Sequence, residues 1–196
     1  MDQTQLQRAG AIPRTSLAPG EAEAIKAGAA VEIRPARMDD ERRIRDFILG
    51  LSLRTQTLRF FAGVPRPAAS LVRAMIARDE RRHALVAVRP GATDEEIIGH
   101  AMSCHTTTPG SAGVAEIAVV VTDEWQGRGI GRRLVERLVL RAAACGIAEL
   151  GMDVMGENRR VLTMVRRQWP DAAMRVSSGT VEVRARISGL VPTFAE

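Results

Sequence analysis

The chain has no tyrosine, only four Phe and two Trp, and an aromatic share of 3% over 196 residues. Single-strand nucleic-acid platforms stack bases on aromatic rings, so the composition argues against that class, and no nucleic-acid partner is expected. The same absence removes tyrosine from any set of catalytic acids. Two cysteines, Cys104 and Cys145, are too few for a disulfide scaffold, and the sequence shows neither a CxxC nor a Cys/His ligand cluster. No metal is expected on that ground. No apolar run has the length of a membrane span, and none near residue 1 resembles a signal peptide. The expectation is a reduced, soluble, cytoplasmic protein with no membrane partner. Lysine is nearly missing too: of 28 basic residues Lys26 is the only one, and the rest are arginine.

What remains is ordinary for a globular chain, 45% hydrophobic and 26% charged, at a length that suits one domain. The formal net charge of +5 has two readings. One is genome base composition. The other is attraction to phosphates, which the guanidinium fork matches in geometry.

Residues 1–30 are rich in Ala, Gln, Gly and Pro and show no sustained apolar face. They read as a mobile tail or a loosely docked arm. A short strand follows at 31–35. Asp39 or Asp40 can then cap a helix carrying Ile44, Phe47, Ile48 and Leu51. Helical stretches follow at 52–61 and after Pro67, the latter with Leu71, Val72, Met75 and Ile76 on one face. From His83 the period becomes that of strands: 83–88, 96–105 and the very apolar 114–121. A helix at about 129–145, a strand at 148–154, a helix at 158–168 and a hairpin of 172–177 with 180–187 complete the order. The expected fold class is α/β, with 114–121 and 148–154 parallel neighbours in one mixed sheet. The domain is expected over 31–187, with 188–196 a C-terminal tail.

The sharpest motif is Gln126-Gly127-Arg128-Gly129-Ile130-Gly131, between the apolar strand and an amphipathic helix. Glycines let the backbone turn tightly and approach a ligand, and the N–H groups of the helix's first turn then converge on an anion. Arg128, Arg132 and Arg133 are expected to add charge at its rim. No Gly-Lys-Ser/Thr follows, so it is not a P-loop. The spacing also fails the dinucleotide fingerprint.

Gln126-x-x-Gly129-x-Gly131 in this setting resembles motif A of the GNAT superfamily of acetyl-CoA-dependent N-acyltransferases, and the element order over 31–187 is similar to that fold. Leu58-Arg59-Phe60-Phe61 and the strand beginning Ala115-Glu116-Ile117 further resemble bacterial protein lysine acetyltransferases. The resemblance implies one mixed sheet with a splayed central parallel strand pair flanked by helices. It implies acetyl-CoA as acyl donor, with Gln126, Gly127, Arg128, Gly129, Ile130 and Gly131 on the pyrophosphate. Val119, Val120 and Val121 would pair with the pantetheine arm, and a main-chain N–H near Val119 or Val120 would hold the oxyanion. Asn158 has two readings, a helix cap from its own residue type and a pantetheine contact from the resemblance. The acceptor would be a primary amine, a protein lysine or else a small or amino-acid-like amine; the alternative, which the missing tyrosine keeps open, is a non-catalytic acyl-CoA-binding sensor module.

A lysine-like amine is mostly protonated at neutral pH, so attack on a thioester needs a proton acceptor. Glu116 is the only charged residue in its strand. Its apolar neighbours would desolvate it and raise its basicity. It can equally be a solvent-facing residue near a strand's start; the resemblance favours the base. His100 and His105 are an odd number apart on one strand, so they face opposite sides and are read as structural. Cys145 falls on the apolar face of its helix and is read as core.

Overall fold

The first strand shows both the rule and its exception. β1 (Glu32–Pro35) buries Ile33 as alternation requires, but it also buries Arg34, which is 4% exposed. Arg34 survives there because Asp40, fully buried, accepts from both of its terminal nitrogens at 2.8 Å, and Glu95 accepts at 2.7 Å. Burial alone would push the Asp40 pKa up; Arg34 and the Arg37 N–H outweigh it and hold the carboxyl below its ordinary value. Asp40, one of the two expected candidates, is the N-cap residue of the following helix, but its side chain makes no capping hydrogen bond there because it serves Arg34 and Arg37 instead.

The computed structural model describes residues 31–91, 94–106 and 113–187. The expected tails at 1–30 and 188–196 lie outside the described residues. After a 3-10 turn at Met38–Asp40 come α1 (Glu41–Gly50), α2 (Leu53–Phe60) and α3 (Ala69–Ile76). β2 (Arg82–Pro90), β3 (Glu95–Thr106) and β4 (Val114–Val121) follow, then α4 (Ile130–Ala144), β5 (Glu149–Met155), α5 (Arg159–Gln168), β6 (Ala173–Ser177) and β7 (Thr180–Arg186). The seven strands form one sheet in the order β1-β2-β3-β4-β5-β7-β6, with β4 and β5 its parallel pair.

Each face of the sheet carries its own core. On one, Ala115, Ile117 and Val121 of β4 pack with Ile130, Leu134, Leu138 and Ala142 of α4 and with Leu162 and Val165 of α5. On the other, Val86, Val88 and Val120 pack with Ile44, Ile48, Val72 and Met75 of α1 and α3. A Cβ at Gly99 would crowd Leu134, Ala87 and Ile130 at 3.2–3.3 Å, so this glycine sets how closely α4 lies on β3. No described helix is long and apolar enough to cross a membrane.

Candidate active site

β4 and β5 do not stay paired. Val114, Ala115 and Glu116 match Glu149, Leu150 and Gly151, and there the ladder stops, although β4 runs on to Val121 and β5 to Met155. On its other side β4 remains paired with β3 as far as Val121 opposite Gly99. The Thr122 N–H donates to the Ile98 carbonyl at 2.9 Å, so by antiparallel alternation Val120 and His100 are also a hydrogen-bonded pair. The main-chain groups of Val119 and Val121 therefore face the gap, and those of Val120 do not. Of the two oxyanion donors expected, only Val119 is aimed there; Val120 instead puts its side chain into the α1–α3 core.

The glycine loop stands at the mouth of this gap. After the 3-10 turn at Asp123–Trp125, Gly127 and Gly129 take φ of 80° and 78°, left-handed values that favour glycine. Gly129 brings no side chain to cap α4, so the first-turn N–H groups from Ile130 and Gly131 onward point outward with the positive end of the helix dipole behind them. Gln126 works differently from the expectation. Its main-chain N–H donates to the Asp123 carbonyl at 3.3 Å, and its side-chain amide donates to the Val121 carbonyl at 3.1 Å and to Thr55 Oγ1 at 3.3 Å. It braces the loop against β4 and α2.

The cationic rim also differs. Arg128 lies over the Trp125 ring at 4.8 Å, with Arg89 at 5.7 Å from the same ring. Arg160 rests against Gly127, where a Cβ would come within 3.0 Å of its Nη2. Arg132, Arg159, Arg160 and Arg167 line a cleft of about 530 Å3 between α4 and α5. Arg133 is not among its lining residues, and most of this charge comes from α5, which sequence order did not connect to the loop.

At the inner end of the gap sits Glu116. It is not desolvated by apolar neighbours: its side chain is 43% exposed and ion-paired with Arg184. The register explains the pair. Glu116, Gly151 and Arg184 lie side by side on β4, β5 and β7, and a Cβ at Gly151 would overlap both the carboxylate and the guanidinium. Arg184 also holds Glu182 at 3.0 Å, and these two carboxylates raise its pKa above the ordinary value, Glu116 first. Glu182 lies opposite Asp153, which is exposed. Three carboxylates and Arg184 thus share one accessible face of the sheet beside the strand separation. Asn158 acts as the cap its residue type suggests, its Oδ1 accepting from the Val161 N–H at 3.3 Å.

Sequence reasoning missed how α2 is fastened. Asp123 accepts from the Ser52 N–H, the Ser52 hydroxyl and the Thr55 hydroxyl at 2.7–3.0 Å, tying the start of α2 to the loop. Those bonds hold its carboxyl below the ordinary pKa despite partial burial, which acts the other way. One turn on, Arg59 has a buried Nε with no hydrogen-bond partner among the described residues. Burial pushes its pKa down to about 10. A second cleft, about 670 Å3 and rich in carboxylates such as Asp46, Asp94 and Glu96, holds none of the expected site residues.

The histidines divide as alternation requires. His100, fully buried, donates Nε2–H to the Met75 carbonyl at 2.7 Å, and burial pushes its pKa down to about 4. His105 faces the opposite side, near His83. Cys145 is a correction: α4 ends at Ala144, and Cys145 is its exposed C-cap rather than core.

A family model described as Acetyltransferase (GNAT) family matches residues 52–168. The GNAT domain of S. lividans PAT superposes with a TM-score of 0.68 at 25% identity, over 80% of this chain and 90% of that one. A GNAT-family acetyltransferase from Streptococcus pneumoniae gives 0.63 at 16% identity, over 80% and 99%. Arabidopsis thaliana NAA60, solved in complex with acetyl-CoA, gives 0.60 at 14% identity, over 82% and 100%. The last two share the fold.

Proposed function

The chain belongs to the acetyltransferase (GNAT) family, and on that premise we propose that it moves an acetyl group from acetyl-CoA to a primary amine by direct attack, a protein lysine being the acceptor. One observation carries the reading. β4 and β5 separate after Glu116 and Gly151, and the resulting gap has the glycine loop at one end and a carboxylate at the other. The pyrophosphate fits the first-turn N–H groups of α4, and the phosphorylated nucleoside end suits the arginine-lined cleft between α4 and α5. Pantetheine amides would use the main-chain groups of Val119 and Val121, and the Val119 N–H would stabilise the developing oxyanion.

The chemistry balances without a covalent enzyme intermediate. The amine nitrogen forms a bond to the thioester carbonyl, the C–S bond breaks, and the amine proton passes to Glu116, directly or through water. The thiolate leaves with coenzyme A and takes a proton from solvent, since the chain has no tyrosine to supply one. Glu116, Asp153 and Glu182 give the acceptor side the sign that draws an ammonium group. A protein lysine is favoured over a small amine by the accessibility of this face and by the resemblance of Leu58-Arg59-Phe60-Phe61 and Ala115-Glu116-Ile117 to bacterial protein lysine acetyltransferases.

Calorimetric titration with acetyl-CoA, followed by transfer assays on lysine peptides and small amines, tests the proposal. Expected are one saturable site per chain and faster transfer to peptides. Absence of binding would overturn the cofactor assignment. Binding with transfer only to small amines would overturn the lysine assignment alone.

A further inference from the structure

We propose that His83, His105 and Cys145 form a metal site that takes a divalent transition-metal ion of the zinc class. One ligand atom from each residue lies within 4.8 Å of the others. The two imidazoles stand 4.8 Å apart, centroid to centroid, tilted by 57°. The fold brings them together from three directions. β2 and β3 pair His83 with Ser103, which sets His105 diagonally beside His83 on the face that α4 covers. α4 ends beside that spot, and the sulfur of Cys145, its exposed C-cap, lies within 4.8 Å of the ligand atoms of both histidines, just before Gly146 leaves the helix at φ 73°.

His83 Nε2 is buried and has no hydrogen-bond partner among the described residues. A buried imidazole nitrogen with no partner is costly unless something else bonds to it, and a metal ion is such a partner. His105 is 5% exposed, and its Nε2 lies 3.3 Å from Ser103 Oγ. Two imidazoles and a thiolate suit zinc and its neighbours better than magnesium or calcium, which take oxygen ligands. Tetrahedral bonds of about 2.0–2.3 Å set ligand atoms about 3.4–3.7 Å apart, so side-chain rotation must close the present spacing by about 1 Å. Cys145 is exposed, which leaves an entry path and a fourth position for water. On binding, the thiol gives its proton to solvent and the thiolate becomes the ligand.

The site is separate from the transferase centre. It lies at the C-terminal end of α4, whose 15 residues put about 22 Å between it and the glycine loop. Its role is to clamp the end of α4 to the β2–β3 hairpin.

The second cysteine supplies an internal control. Cys104 is also free and exposed but is not part of the trio. The full-length protein, stripped with a chelator and kept reduced with a phosphine, is alkylated with and without one equivalent of Zn2+, and both thiols are followed by mass spectrometry. Zn2+ is expected to slow alkylation of Cys145 by about tenfold or more and to leave Cys104 unchanged. Co2+ should give a thiolate charge-transfer band that saturates at one equivalent and is absent from Cys145→Ser. His83→Gln, at a partly exposed position, should lose the protection while keeping its circular dichroism. Equal alkylation of Cys145 with and without Zn2+, equal protection of both cysteines, or a cobalt band that persists in Cys145→Ser overturns the assignment.

Discussion

Glu116→Gln separates chemistry from folding because the structure assigns the two effects very different sizes. The substitution keeps the side-chain shape and removes its charge. Its loss to stability is one ion pair whose partners, Glu116 and Arg184, are 43% and 35% exposed, so solvent screens it. Such a pair contributes about 0.5 kcal/mol. Arg184 keeps Glu182 at 3.0 Å and is not left unpaired. The melting temperature should fall by only about 1–2 °C at this chain length. Loss of a general base typically lowers turnover by about 10²–10⁴-fold, or about 3–5 kcal/mol of activation free energy. KM for acetyl-CoA should hold, because Glu116 lies five residues and about 17 Å along β4 from Val121 and the loop. The assay is steady-state transfer to a saturating lysine peptide, with Arg184→Met as control. Arg184→Met breaks the same ion pair and also releases Glu182, but leaves the Glu116 carboxylate in place, so it should cost more stability than Glu116→Gln without the full loss of turnover. A Glu116→Gln turnover within about threefold of wild type, or equal losses in both variants, would refute the assignment.

Gly151→Ala should leave stability within about 1 kcal/mol, because the clashing atoms are the ends of two flexible side chains. It should still cut turnover by displacing the Glu116 carboxylate; unchanged kinetics would show that the position of the pair is immaterial. Gly129→Ala meets nothing within 4 Å, so its cost is backbone strain at φ 78°, about 1–2 kcal/mol by thermal melt, with weaker acetyl-CoA binding by calorimetry. Stability should also fall as pH drops from 6.5 to about 4, because the unfolded chain protonates His100 at its ordinary pKa while the folded chain resists until about 4. The loss attributable to His100 is about 3 kcal/mol, and His100→Gln should flatten this slope in pH-dependent melts.

Most of the secondary structure was legible in the sequence, because each element announces itself within a few residues. β4 was bounded correctly at Val114 and Val121 by its apolar run, and α4 differs by one residue at each end from the expected 129–145. The glycine loop was legible for a similar reason: left-handed backbone at Gly127 and Gly129 is a local demand that only certain residues meet cheaply. Asp40 misled because its carboxylate serves Arg34 and Arg37 rather than the helix start. Cys145 misled because α4 stops one residue short of it, turning a helical face position into an exposed cap.

By itself the sequence determined the element order, the parallel β4–β5 unit and the glycine loop, all of which follow from periodicity and backbone preference over short spans. The tertiary structure decided which side chains meet. Glu116 finds Arg184 only because β5 inserts Gly151 between them. Asp123 finds Ser52 and Thr55 across 71 and 68 residues of chain. His83, His105 and Cys145 converge only when the β2–β3 register and the length of α4 are both set. No local pattern encodes such meetings, because each depends on strand register and helix placement, which are fixed by packing of the whole core.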